Sequence, residues 1–472
     1  MSKLTSTALV SEWDRDLAEG TTTRDNWGPT AQPPSEWQGY ERVLFRFFFL
    51  YFIIQVVPLD WHFYRDLLTI DWGPNYYQDV FNLARYAPRF IGPDDTFANW
   101  AIVALIALVG TLIWSIRDTK RTEYNALYYG LRVILRYRLA IGVIAYGFIK
   151  LFPMQAPLPS ISNLNTAYGD FTAWKLFSLS LGIVPSYESF LGLVEIIGGL
   201  LLLNRKTATI GTLIIIPFTG NVFMSNLAYE GGEYVYSFYL ITIALFLFAF
   251  DAIRLVRLVS LEKPTVPNRF VPVWAGRWKV VRPLLKGAFL LFAVGLYGYK
   301  TYGAYRTDPY QYPKTPGLTG AAGLYNVREF KLADKVLPYS KTDSKRWQDV
   351  VFERWNTISI KSNRPVRLDK TNTEQLHAAD AARTYEFAGS AGRHYYSYQV
   401  DSLRHVLTLS NRNPNYVGET LQLHYERSGP NEIILSGLNE SQDSVYVVLD
   451  KVNKKYLLNE AAKAGRRGTL KL

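Results

Sequence analysis

Apolar residues gather into long runs between about residues 43 and 301, separated by basic, aromatic or proline-rich stretches. Beyond about residue 304 the pattern changes to short alternating pieces. A membrane-crossing helix needs roughly 20 mainly apolar residues. On that measure the runs predict seven spans: Val43–Leu59, Asn99–Ile116, Val133–Phe152, Ser186–Leu203, Thr209–Phe223, Tyr234–Ile253 and Leu284–Tyr299. The first is marginal in length and carries Arg46 inside its start, where a snorkelling side chain can extend it. The seventh is also short. Residues 60–95, with Trp61, Trp72, Tyr76, Tyr77 and Phe90, read as an interfacial helix or cap.

The C-terminal part alternates at the period of a strand. Candidate strands fall at 327–333, 350–360, 395–400, 405–410, 420–426, 432–437 and 444–450, with a last short one at 455–459. In the 420–426 piece, Leu421, Leu423 and Tyr425 share one face. Successive strands joined by turns predict an antiparallel meander, closed as a small sandwich or a partly closed barrel. The fold class is therefore a polytopic α-helical membrane protein with a C-terminal antiparallel β domain. Its parts are a cytoplasmic tail (1–40), two spans with an aromatic outer segment (41–129), a four-helix bundle (130–255), a basic linker with the seventh span (256–303) and a periplasmic β-rich domain (304–472).

Composition changes this picture in three places. The chain has 472 residues and a mean hydropathy of -0.02, an average over a greasy and a polar half. Its formal charge of +12 would suggest nucleic acid in a soluble chain. Here the basic residues flank the apolar runs, at 117–138, 204–206 and 254–283, which places those stretches and the N-terminus in the cytoplasm and predicts no nucleic-acid partner. Seven spans then put the β domain in the periplasm, whereas six would leave it in the cytoplasm. The first apolar run starts too late for a usual signal sequence and reads as an uncleaved span. There is no Cys, which removes disulfides and thiolate chemistry from this chain.

Two blocks carry a family resemblance. RLAIGVIAYGFIKLF at 138–152 contains Arg138, Gly142, Gly147, Lys150, Leu151 and Phe152. GLVEIIGGLLLLNRKTATIG at 192–211 contains Gly192, Glu195, Gly198, Gly199 and Arg205. Over residues 130–255 the chain resembles the DoxX/DoxD-like family of four-helix membrane proteins. With its extra spans and β domain it resembles uncharacterised relatives from Bacteroidetes-type bacteria. Some members of the family are subunits of thiosulfate:quinone oxidoreductases and others are accessory components of membrane complexes. The resemblance thus implies a bacterial inner-membrane location and allows a quinone, although the residues themselves predict no cofactor.

The polar residues inside the runs are the site candidates. Glu195 falls within the fourth span, where a lone carboxylate is costly and must be paired, protonated or hydrated. Lys150 is the basic candidate, Glu188 stands at a better height for it, and Arg138 approaches from the cytoplasmic side. These four residues form either a polar pocket for a quinone, proton or small anion, or a structural ion pair holding the bundle together. Gly192, Gly198 and Gly199 favour close helix packing. The loop 153–171 is stiffened by three prolines and reads as a lid or a docking surface. His62, beside Trp61, reads as an interfacial anchor. The five histidines show no HExxH spacing, and no Walker A, GxGxxG or GxSxG motif occurs.

The leading expectation is an accessory or scaffold subunit of an inner-membrane complex. It would meet membrane protein partners and lipid through its helices and a periplasmic protein through its β domain. A second reading is a quinone-contacting oxidoreductase subunit, the only enzymatic role the resemblance suggests. A third is a carrier of a small solute.

Overall fold

The computed structural model describes residues 37–464 apart from 60, 74–76, 93–94, 266–269, 271–275, 308–310, 371–376 and 378. Nearly all of the expected N-terminal tail, and the side chain of His62, lie outside the described residues.

The helices are α1 (Gly39–Val56), α2 (Trp61–Leu68), α3 (Gln78–Ala84), α4 (Phe97–Arg117), α5 (Asn125–Leu151), α6 (Ile161–Leu164), α7 (Ala173–Gly182), α8 (Pro185–Leu202), α9 (Ala208–Ala228), α10 (Tyr234–Ser260), α11 (Trp278–Thr307) and α12 (Leu457–Ala464). Five of them, α4, α8, α9, α10 and α11, are long and apolar enough to cross a membrane. On α4 the residues Leu105, Leu108, Val109, Leu112 and Ile113 are all exposed, an apolar surface suited to lipid. Helices α1 and α5 lie in the same bundle but fall outside that class. Glu41, Arg42 and Arg46 lie on the first, and Arg132, Arg136, Arg138 and Lys150 on the second. The expected seven spans are thus matched for five helices. The seventh run is longer than its apolar stretch suggested, reaching 30 residues.

Helix α5 forms the axis of the bundle. Leu135, Leu139 and Ile144 on it are fully buried, and it packs against α1, α8, α10 and α11. Its charged residues are tolerable because of what surrounds them. Arg46 of α1 does not snorkel but donates to Tyr124 Oη (2.8 Å), Ser115 Oγ (2.9 Å) and the Asp118 carbonyl (2.7 Å). The closest approach is between α5 and α8. A Cβ on Gly192 would lie 2.3 Å from both the Gly147 carbonyl oxygen and the Leu151 nitrogen, so only glycine permits this backbone contact.

The β domain is a closed antiparallel barrel. Its strands are β1 (Gly323–Leu332), β2 (Lys335–Val336), β3 (Asp349–Phe352), β4 (Thr357–Lys361), β5 (His394–Asp401), β6 (Val406–Asn411), β7 (Thr420–Gly429), β8 (Glu432–Leu438) and β9 (Ser444–Lys451). The order is β2-β1-β3-β4-β5-β6-β7-β8-β9, and β1 also pairs with β9, which closes the ring with β2 as an appendage. Alternation sends Leu421, Leu423 and Tyr425 inward, where they meet Leu407, Leu409 and Leu435 in a filled core. The strand expected at 455–459 is instead the start of α12. The ring is already complete at β9, so no open edge remains beside it for a further strand.

The loop between α5 and α8 fastens the barrel to the bundle. Glu353 of the barrel accepts from the Ser162 nitrogen (2.6 Å), Ser162 Oγ (2.6 Å) and the Ile161 nitrogen (3.2 Å). Thr172 N–H donates to the Gly389 carbonyl (2.8 Å) and Ala391 N–H to the Asp170 carbonyl (2.8 Å). The proline-rich loop is therefore a docking surface for the barrel.

Candidate functional site

The loop and the two helices that follow it enclose a cavity of about 760 Å³ at the barrel-proximal end of the bundle. Its walls come from α8 (Tyr187, Phe190, Leu191) and α9 (Phe218, Asn221, Val222, Ser225). Trp174, Phe177 and Ser178 of α7 line it as well, as does Tyr385 of the barrel domain. Lys150 at the end of α5 lines it too. With Tyr229, seven aromatic side chains and a handful of hydroxyl and amide groups thus surround one ammonium.

Lys150 Nζ donates to Glu195 Oε1 at 2.5 Å, with both side chains about nine-tenths buried. Depth along the span alone would pair Lys150 with Glu188. The reason for the difference is register. Gly192 lies level with Gly147 and Leu151, so the first turns of α8 stand beyond the end of α5. Glu195, one turn further in, then comes within reach of the Lys150 stem. Glu188 is instead level with the start of the loop, where its Oε1 accepts from the Gln155 nitrogen (2.9 Å) and the Ala156 nitrogen (3.3 Å). It anchors the cavity's rim.

Arg138 does not belong to this constellation. It precedes Lys150 by twelve residues, about 18 Å along the helix. Its Nη1 donates to the Ala84 carbonyl (2.8 Å) and its Nη2 to the Tyr86 carbonyl and to Tyr236 Oη (3.3 Å). These carbonyls lie at and just beyond the C-terminal end of α3, where a helix leaves acceptors unsatisfied. Arg138 thus anchors the aromatic cap between α1 and α4 to the bundle. Of the four candidates, the structure unites Lys150 and Glu195, places Glu188 at the rim and removes Arg138.

The chemistry of the pair follows from donor counting. An ammonium has three N–H groups and one is committed to Glu195. The others are free to meet an acceptor in the cavity. Glu195 Oε2 is buried and has no hydrogen-bond partner, leaving an acceptor behind the lysine. The pair is formally neutral, so a neutral carbonyl fits this site without an added counter-charge. Aromatic walls fit a flat, apolar body.

Sequence reasoning missed the barrel's share of the site. Ser178 Oγ and Tyr385 Oη lie 2.9 Å apart across the interface, yet 207 residues separate them in the chain. Behind them Lys175 donates to the Tyr385 carbonyl, and its ammonium lies 3.7 Å from the centre of the Tyr385 ring. Burial pushes Lys175 down to about 7 and Glu386 up to about 7. Arg412 Nη1 meets Glu386 Oε2 at 2.8 Å, both buried. No local motif announces these contacts. His405 and His424 face each other with ring centres 6.2 Å apart, and no group of three or more metal-ligating side chains occurs among the described residues.

No protein-family model, curated protein or solved structure matches the chain.

Proposed function

We propose that this chain is an accessory subunit of the bacterial inner membrane whose bundle holds a quinone-class ligand at its barrel-proximal end. The observation that carries the reading is Lys150. It lines a large, aromatic-walled cavity, has donors to spare, and is held by a buried carboxylate. Cavities of this size, mostly apolar with a few directed polar groups, are typical of small-molecule sites. A quinone offers what the walls ask for: a flat ring, a carbonyl acceptor for Lys150 and an apolar tail to leave between α8 and α9. The resemblance to DoxX/DoxD-like proteins points the same way.

The accessory role is supported by α11, whose apolar 18-residue stretch is only 11% buried within the chain. That leaves a long apolar helix for lipid or a membrane partner. The basic stretches at the barrel-distal end support a cytoplasmic placement there, and hence a periplasmic barrel.

The test is quinone content. Protein purified in mild detergent and extracted with organic solvent is expected to release ubiquinone or menaquinone, as measured by mass spectrometry. Lys150→Met is expected to lose most of it, while Glu188→Gln retains it. Empty wild-type protein that also fails to bind added quinone would overturn the reading. A periplasm-active reporter fused after Leu472 tests the orientation and is expected to give signal.

A further inference from the structure

The opposite, barrel-distal end of the bundle holds a second cavity, of about 610 Å³. Its walls come mainly from the start of α1, from α5 and from α10. Trp37 Nε1 donates to Asn125 Oδ1 (3.1 Å), which sets the starts of α1 and α5 side by side. Helix α10 runs the other way. Tyr146 of α5 meets Glu233, just before α10 begins (3.0 Å), while Tyr128 meets Phe250 far along it, with ring centres 5.7 Å apart. Depth in the cavity is thereby fixed on all three helices.

Three kinds of group follow one another with depth. At the mouth is Glu41, in the first turn of α1. Its Oε2 accepts from the Gln38 nitrogen (2.8 Å), and among the described residues no cation is paired with it. Next comes Arg132, about 10 Å along α5 from Asn125. Its guanidinium lies on the Phe250 ring, 3.1 Å from the ring centre. Stacking occupies the face of the planar fork and leaves the N–H groups at its edge free to donate. Its Nε is buried without a partner, and among the described residues no carboxylate or carbonyl accepts from the group. Asp251, the residue after Phe250, is held instead by Thr209 Oγ1 (2.6 Å) and Arg254 (3.9 Å). Deepest are Phe48 and Phe246, with ring centres 5.8 Å apart, and Phe246 lies one turn inward of Phe250. Leu44 and Ala249 are exposed at the cavity wall, so it opens sideways to lipid between α1 and α10.

A guanidinium withdrawn from water without an acceptor is costly, so the cavity calls for an anion beside Arg132. A soluble anion would leave the apolar inner walls unfilled. From the mouth inward the order is carboxylate, guanidinium, apolar rings. That order complements a phospholipid whose ammonium lies outermost, whose phosphate comes next and whose chains point to the bilayer centre.

We propose that this cavity binds one ethanolamine phospholipid, with its phosphate on Arg132, its ammonium at Glu41 and an acyl chain along Leu44 and Phe48. Arginine's fork suits the phosphate, and a primary ammonium has N–H groups to give the carboxylate. The site is independent of the quinone reading, which concerns the other end of the bundle.

Native mass spectrometry of the full chain released from nanodiscs of equal phosphatidylethanolamine, phosphatidylcholine and phosphatidylglycerol tests this. One phosphatidylethanolamine is expected to remain bound in preference to both other lipids. Arg132→Gln should lower that retention about fivefold, the effect of one arginine near a lipid phosphate. Glu41→Gln should cut the preference over phosphatidylglycerol about threefold, the effect of one solvent-facing ion pair. Ala249→Phe, which fills the opening from an exposed position, should lower retention of phosphatidylethanolamine. Lys206→Gln, which removes a charge outside the cavity, should leave it unchanged.

Competition with free phosphoethanolamine separates the two sources of the headgroup. Resistance to millimolar phosphoethanolamine assigns the site to lipid, and displacement by it overturns the lipid assignment. Equal retention of the three lipids, a preference for phosphatidylcholine or phosphatidylglycerol, or an equal loss in Lys206→Gln overturns the proposal. Unchanged retention in both Glu41→Gln and Ala249→Phe also overturns it, and these two exposed positions keep the test decisive if Arg132→Gln does not fold.

Discussion

Separating Lys150 from Glu195 should cost the bundle several kcal/mol, and unequally according to which partner is removed. The pair is 2.5 Å long, and the two side chains are 10% and 7% exposed. Removing one member of such a buried pair typically costs about 3–5 kcal/mol, because the remaining charge is left uncompensated. The structure distinguishes the two cases. Lys150 lines the cavity, so in Glu195→Leu its ammonium can recruit water, and the loss should be near 3 kcal/mol. Glu195 does not line it, and its Oε2 already lacks a partner, so Lys150→Met should cost near 5 kcal/mol. The double variant removes both desolvation costs and should approach wild-type stability. Unfolding by SDS in mixed micelles, followed by circular dichroism, measures all four proteins. Single losses that add to within about 0.5 kcal/mol in the double variant would show no coupling and refute the argument.

Gly192→Ala should push α8 away from α5, since its Cβ would fall 2.3 Å from backbone atoms that cannot yield. A loss of about 1–3 kcal/mol in the same assay is expected, together with reduced quinone content. In the barrel, Leu423 is fully buried, and Leu423→Ala should cost about 2–5 kcal/mol, read as faster amide exchange in β6 to β8. The barrel–loop contact should depend on pH through Lys175. Burial holds this group at about 7, below its ordinary 10.5, so the unfolded chain binds more protons between those values. Its contribution therefore favours the docked state increasingly as pH rises from about 7 toward 10.5. Limited proteolysis of residues 153–184 should slow across that window, and Lys175→Met should flatten the dependence.

The sequence alone determined the elements whose pattern is set by solvent. Apolar runs of span length can be satisfied only as helices in lipid, and alternation in the last third can be satisfied only by strands with one buried face. Hence β5 to β9 and the long helices lie where the periodicity places them. Even Lys150 and Glu195 stood out, because a charge inside an apolar run needs an explanation wherever the chain goes.

What only the tertiary structure decided was partnership. Glu195 rather than Glu188 meets Lys150 because Gly147 and Gly192 set the register of two helices, and register is a property of the contact between helices. Arg138 satisfies carbonyls of α3, a helix whose end is invisible as an apolar run. Tyr385, between β4 and β5, reaches the cavity, and Glu353, just after β3, holds the loop, although each is some two hundred residues from its partner in the chain. Hydrophobic pattern is local and can be read from neighbours in the chain. A buried polar group is answered by whatever the fold brings beside it, and that answer exists only in three dimensions.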